Sequence, residues 1–185
     1  MHCVNGIQVY TADTTIANTL TEAQQNAIIK AVNNHLGENK EMALTINAIY
    51  KEALGKDLRL TTNEAVYSSV FSTAASDRAT LNIHNNMLVK CDRSLFGGRY
   101  VYKTNGLPER VQLVREEMLV IGDILVVSND NIGSESKLYL YVGDGKWFEM
   151  ALSGSKIMTT SASKTLMEGL LAKNSFAILR PSLTF

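Results

Sequence analysis

Cysteine and the usual metal-binding motifs are scarce in this sequence. Only two cysteines occur, Cys3 and Cys91, and they do not form a C-x-x-C motif. Two cysteines are too few for a disulfide-rich scaffold, and their spacing does not fit a structural zinc site. The sequence leaves open whether these cysteines form one disulfide or remain two free thiols. Because H-x-x-x-H, H-E-x-x-H and phosphate-loop motifs are also absent, we expect neither a metal nor another cofactor.

Net charge and long apolar runs are lacking as well. Eighteen basic residues balance eighteen acidic residues, so the formal net charge is +0. This balance gives no general attraction to nucleic acid or to an anionic membrane surface. No apolar run approaches the ~18–20 residues that cross a bilayer, so no membrane insertion is expected. The first residues, MHCVNGIQVYTADTT, do not form a signal peptide as they stand, and a mature form or an excised piece of a longer protein stays open.

The first half of the chain has the hydrophobic period of helices. One helix is predicted to begin at Thr21-Glu22, and a second to run over about 41–54. Thr61 followed by Glu64 is a capping-box pattern that predicts a third helix. A helical N-terminal segment therefore covers residues 1–87.

Beyond this segment the pattern is that of strands joined by turns. MLVIGDILVV predicts a strand bent at Gly122, and Asp144-Gly145 predicts a hairpin turn before a returning strand. A short helix is predicted over 161–173, and FAILRPSL predicts a last strand. Helices followed by a small antiparallel sheet indicate an α+β fold. We expect the second domain, residues 88–185, to form one compact unit with the helical segment.

Three motifs in the second half occur in a characteristic order. They are LPER at 107–110, GDILV at 122–126 and LYVGDGK at 140–146. In this order they resemble the NlpC-type cell-wall endopeptidase domain, a papain-like family, over residues 88–185. The resemblance implies a papain-like core in which a helix carries a catalytic cysteine. It also implies a histidine that opens the strand before Y-[VL]-G, and a third polar residue on the next strand. A helix N-terminus and an imidazole lower the pKa of such a thiol.

The positions that the family uses for chemistry fall on other residue types here. The cysteine position falls near Ser94, the histidine position on Lys137 and the third position on Glu149, while Cys91 lies three residues too early. Lysine does not replace imidazole near neutral pH unless it is strongly desolvated. We therefore expect a non-catalytic binding or structural module whose cleft binds peptide, glycan or protein. The resemblance further implies part of a larger secreted or cell-surface protein.

Two other functions stay open, and aromatic residues offer ligand contacts. Cys91 and His84 could lie on one helical face and form a thiol hydrolase or acyltransferase if ~3–4 Å apart, although their asparagine-rich surroundings favour a loop or strand. A self-assembling extracellular subunit, a homo-oligomer that pairs strand edges, is the other alternative. The aromatic residues that could line a groove are Tyr100, Tyr139, Tyr141 and Trp147. Trp147 stands at a hairpin end and is predicted to be partly exposed.

Overall fold

The computed structural model describes residues 2–4, 7–9, 20–71, 87–91, 119–128, 136–173, 175–179 and 181. These ranges contain four helices and eight strands. The helices are α1 (Glu22–Asn34), α2 (Met42–Leu54), α3 (Asn63–Phe71) and α4 (Thr160–Lys173). The strands are β1 (His2–Val4), β2 (Ile7–Val9), β3 (Met87–Cys91), β4 (Ile124–Ser128), β5 (Lys137–Gly143), β6 (Lys146–Ala151), β7 (Gly154–Ile157) and β8 (Ser175–Leu179).

The strands form two antiparallel sheets. β1 and β2 pair with each other, and the larger sheet has six strands in the order β3-β8-β4-β5-β6-β7. β8, the last described strand, thus lies between β3 and β4, while β4 to β7 follow each other as a meander. The predicted α+β class is confirmed, since α1, α2 and α3 pack on an antiparallel sheet. Within the described ranges, no helix has the length and apolar character needed to cross a membrane.

The predicted turns are present and have the geometry that their residues favour. Asp144 and Gly145 have φ angles of +54° and +69°, the two positive values that a type I′ hairpin turn requires. Gly122 has a φ of +102° and precedes β4, so the predicted bend is found there. The short hairpin from β6 to β7, through Leu152 and Ser153, was not predicted.

The helix ends follow capping chemistry, with one correction. Thr21 caps α1 in a capping box with Gln24, and Gly55 ends α2 in the left-handed conformation with φ +66°. The third cap is Thr62, not Thr61 as predicted, because the Thr62 hydroxyl accepts the N–H of Ala65 at 3.0 Å. The carboxylate of Glu64 therefore does not close a capping box with Thr61.

Both faces of β5 are buried. Leu138 and Leu140 belong to the core that the sheet shares with the helices, beside Ile124, Val126 and Phe148. On the opposite face Tyr139 and Tyr141 are also buried. The prediction for Trp147 is wrong, since its side chain is only 1% exposed. Its ring meets that of Tyr141 edge to face at 5.2 Å, so the hairpin end is part of a packed aromatic layer.

A buried tyrosine fixes α2 to the bend before β4. The Tyr50 hydroxyl donates to the carbonyl of Gly122 at 2.6 Å. A Cβ atom on Gly122 would lie 2.6 Å from that hydroxyl, so this close approach requires glycine. This hydrogen bond fixes the position of α2 relative to the start of β4. It thereby positions the cleft that lies between the first turn of α2 and β5.

Candidate functional site

An open cleft of about 530 Å³ lies where the first turns of α2 and α3 meet the start of β5. Its floor is apolar and its rim carries charged and amide side chains. The lining residues are Asn39, Lys40, Glu41, Met42, Asn63, Glu64, Ser136, Lys137, Leu138, Tyr139 and Met150. This volume is in the range of cavities that take small ligands or a few residues of a chain.

The two helices at the cleft cap each other. The Asn63 side-chain oxygen accepts the N–H of Ala43 in the first turn of α2 at 2.9 Å. In return, a carboxylate oxygen of Glu41 accepts the N–H of Asn63 at 2.7 Å. Helix N-termini leave N–H groups that need acceptors, and each helix here supplies one for the other. The pair of caps fixes the two helix starts side by side and makes one rigid wall of the cleft.

A third contact joins this wall to the sheet. The Ser136 hydroxyl donates to a carboxylate oxygen of Glu64 at 2.9 Å, and Ser136 itself is buried. Glu64 thus contacts the residue that directly precedes β5. Together with Glu41, it accounts for both carboxylates of the cleft, and each of them accepts a hydrogen bond from within the protein.

The two lysines at the rim of the cleft differ from its two carboxylates in the partners of their charged groups. Lys40 and Lys137 both have exposed side chains. In the described part of the chain, neither ammonium group forms an ion pair with a carboxylate; the described ion pairs involve His35 and Lys156. The floor beneath them is formed by Met42, Leu138 and Met150. The cleft therefore offers two ammonium groups at its rim and the partly exposed Met150 below, whereas Met42 and Leu138 are almost fully buried in the core.

Lys137 and Glu149, two of the three positions that the resemblance assigns to chemistry, lie on adjacent strands. Lys137 opens β5, and continuing the register from Leu140 opposite Phe148 puts Tyr139 opposite Glu149. The Glu149 carboxylate lies 3.8 Å from the ammonium of Lys156 on β7. Burial, and then the charge of Glu149, raises the pKa of Tyr139 to about 12. Ser94, the third position, lies outside the described residues, as do His84 and Tyr100.

The alternative catalytic residue Cys91 lies in a strand. Cys91 pairs with Phe176, Phe176 with Val127, and Val127 with Lys137, so these residues form one row across the sheet. With ~4.8 Å between neighbouring strands, the backbones of Cys91 and Lys137 are roughly 14 Å apart. Cys91 lies in a strand, as its asparagine-rich surroundings favoured, so it does not share a helical face with His84.

Sequence reasoning missed most of the cleft. Asn63, Glu41 and Ser136 come from three segments whose convergence no local pattern reveals. The only available signal was a polar side chain beside each helix start, which is ordinary capping chemistry. No group of three or more His, Cys, Asp or Glu side chains in the described ranges could hold a metal ion. Among the described lining residues, the Ser136 hydroxyl is hydrogen-bonded to the Glu64 carboxylate, and neither a histidine nor a cysteine lines the cleft.

Comparison with models of known protein families finds no match to this chain. Comparison with curated protein sequences likewise finds no significant relative. The function therefore has to be inferred from the cleft and from the residues that line it.

Proposed function

We propose that this chain is a non-catalytic binding module on a papain-like scaffold, and that its cleft binds an anionic peptide or glycopeptide. One observation carries the proposal. The residue that opens β5, where the resembled endopeptidases have a histidine, is Lys137, and its exposed side chain stands on the rim of the cleft. A group that activates a thiol is thereby replaced by one that binds a carboxylate.

The arrangement of elements supports the scaffold part of the proposal. The Gly122-Asp123 bend leads into β4, and β4 pairs with β5, which turns at Asp144-Gly145 into β6. The carboxylate of Asp123 is buried and accepts the N–H of Val120 at 2.9 Å, so the motif has a structural role. These are the elements that the resemblance assigns to the hydrolase sheet, in the same order.

The charges of the cleft support the binding part. A ligand carboxylate beside Lys40 or Lys137 gains an ion pair without displacing a described internal one. The partly exposed Met150, which lines the cleft, gives an apolar contact for an alkyl side chain of the same ligand. A peptide or glycopeptide that carries both groups combines charge at the rim with apolar contact below.

A binding assay with soluble muropeptides, the glycopeptide fragments of bacterial cell wall, tests the proposal. Fluorescence anisotropy of a labelled fragment is measured against wild type, Lys137→Ala and Lys164→Ala. Lys164 is an exposed lysine of α4 outside the cleft, so it is a matched control. We expect Lys137→Ala to weaken binding by about tenfold, equivalent to 1.4 kcal/mol, and Lys164→Ala to leave it unchanged.

Two results would contradict the proposal. Equal loss in both lysine variants means that binding reflects general charge and not the cleft. Absence of binding to both muropeptides and isolated stem peptides removes the proposed ligand class. Uncharged glycan fragments form a third arm, and binding of these alone would reject the role of Lys137.

A further inference from the structure

Four residues of the connection between α1 and α2 lie along the outer edge of the large sheet, beside β7. We call residues 35–38 the strap. The N–H of Gly37 donates to the carbonyl of Ser155 at 2.8 Å, and the N–H of Ser155 donates to the carbonyl of Glu38 at 2.8 Å. The Ser155 hydroxyl donates to the carbonyl of His35 and accepts the N–H of Glu38. The strap thus pairs with β7 as a short additional strand would.

A histidine at the start of the strap lies between two carboxylates. His35 Nδ1 is 2.9 Å from Glu38 in the strap, and Nε2 is 2.8 Å from Glu52 on α2. A neutral imidazole has one N–H donor and one lone pair, so it satisfies only one of these acceptors. Only the doubly protonated ring donates to both, with charge assistance on each side. The geometry therefore fits the imidazolium form.

The charged groups around the His35 imidazole lie on α1, on α2 and in the strap. Burial of the ring lowers the pKa of His35, but hydrogen bonds to Glu38 and Glu52, and their charges, raise it above its ordinary value of 6.5 overall. The side chain of Asn34 donates to Glu52 at 2.6 Å. Hydrogen bonds from Asn34 and His35 hold the pKa of Glu52 below its usual range, and Lys30 on α1 adds to the effect.

We propose that the strap is a proton-operated clasp that holds one wall of the cleft in place. The strap continues directly into Asn39, Lys40, Glu41 and Met42, which line the cleft. Its partner Ser155 pairs in register with Met150 on β6, a floor residue of the same cleft. When His35 is protonated, it ties the strap to α2 and keeps the backbone pairing to β7 closed. When it loses a proton, one carboxylate loses its donor and the strap opens more often.

The clasp has a pH window whose limits follow from the two groups. Because the pKa of His35 is raised, its contribution is complete below about pH 6.5 and is lost as the pH rises through the raised value. Because the pKa of Glu52 is lowered, its contribution is complete above about pH 4.5 and is lost as the pH falls through the lowered value. The clasp is therefore most firmly closed between about pH 4.5 and 6.5.

Amide hydrogen exchange measured by NMR on the full chain tests the clasp without any ligand. The probes are the N–H groups of Gly37 and Ser155, whose exchange requires the strap to open. We expect their opening constants, corrected for intrinsic exchange, to be severalfold larger at pH 8.5 than at pH 5.5. His35→Gln should abolish this difference, while His2→Gln and His84→Gln, which change the other histidines, should retain it. Glu52→Gln, on an exposed side chain, should lower the pKa of His35 read from its ring resonances.

The outcomes separate the clasp from the proposed function. A pH difference that persists in His35→Gln, or a His35 pKa at or below 6.5, overturns the clasp. The effect of the clasp on ligand affinity rests on the proposed function. If muropeptides do not bind at either pH but exchange follows His35, the clasp stands and the binding proposal fails. If they bind equally at both pH values while the strap opens, the coupling of clasp to cleft is wrong.

Discussion

Replacing Gly154 with alanine should detach the strap from β7. Gly154 has a φ of +111°, and a Cβ atom there would lie 2.8 Å from the carbonyl oxygen of Gly37 and 3.0 Å from its carbonyl carbon. Contacts below 3.0 Å require movement, and here the neighbour is backbone that cannot rotate away. The strap must therefore shift, which breaks its two backbone hydrogen bonds to Ser155.

The expected cost is the sum of two effects. An alanine forced into this region of φ costs roughly 1–3 kcal/mol. Two backbone hydrogen bonds add about 1 kcal/mol each as a net contribution. We therefore expect the free energy of unfolding to fall by about 3–5 kcal/mol. For a chain of this size that corresponds to a decrease in Tm of about 6–20 °C.

Two other glycines separate these effects. Gly55 has a φ of +66° with open space around its Cβ position, so Gly55→Ala should cost only about 1–2 kcal/mol of backbone strain. Gly169 lies in α4 with nothing within 4 Å, so Gly169→Ala should be neutral or stabilise by up to about 1 kcal/mol. Urea unfolding followed by the emission of Trp147, the single tryptophan, measures all three. If Gly154→Ala costs no more than Gly55→Ala, the close contact between strap and β7 is wrong.

Three further predictions concern buried aromatic residues. Tyr50→Phe should lower the free energy of unfolding by about 1–2 kcal/mol, because it removes the buried hydrogen bond to Gly122; unchanged stability in urea would show that α2 is not fixed at that bend. The Tyr139 hydroxyl should ionise near pH 12, so its contribution to stability is complete below about pH 10 and is lost as the pH rises through 12. Ultraviolet titration of wild type against Tyr139→Phe measures this, and a Tyr139-dependent phenolate signal at pH 10 would contradict it. Iodide should quench Trp147 emission only weakly until the chain unfolds, since the side chain is 1% exposed; strong quenching of the native protein would refute its burial.

Local chemistry accounts for the parts of the fold that the sequence predicted. Thr21 and Gly55 mark helix ends because capping depends on adjacent backbone groups. Asp144-Gly145 marks the hairpin because few residues tolerate two positive φ angles. Thr61 was wrongly predicted as the cap because Thr61 and Thr62 are the same residue type. Only the path of the backbone decides which of the two hydroxyls accepts the N–H of Ala65.

Non-local contacts account for what the sequence missed. Trp147 stands beside a turn, which favours exposure, yet packing against Tyr141 buries it. The strap has no strand pattern of its own, and it pairs with Ser155 only because α1 and α2 bring it to β7. The cleft likewise depends on Glu41 reaching Asn63 and on Glu64 reaching Ser136. The position of Lys137 before the LYVGDGK motif singled out one residue on the rim of the cleft. It did not reveal the wall formed by the first turns of α2 and α3.

The most direct test of the binding proposal is one NMR titration in which a muropeptide is added to ¹⁵N-labelled protein and the same sample is then analysed by mass spectrometry. We expect amide shifts to concentrate at residues 39–42, 63–64 and 136–139, while the mass of the muropeptide stays unchanged over the experiment. Hydrolysis of the muropeptide that disappears in Cys91→Ala would contradict the non-catalytic function and establish a thiol hydrolase. Shifts that avoid these three segments would contradict the assignment of the cleft.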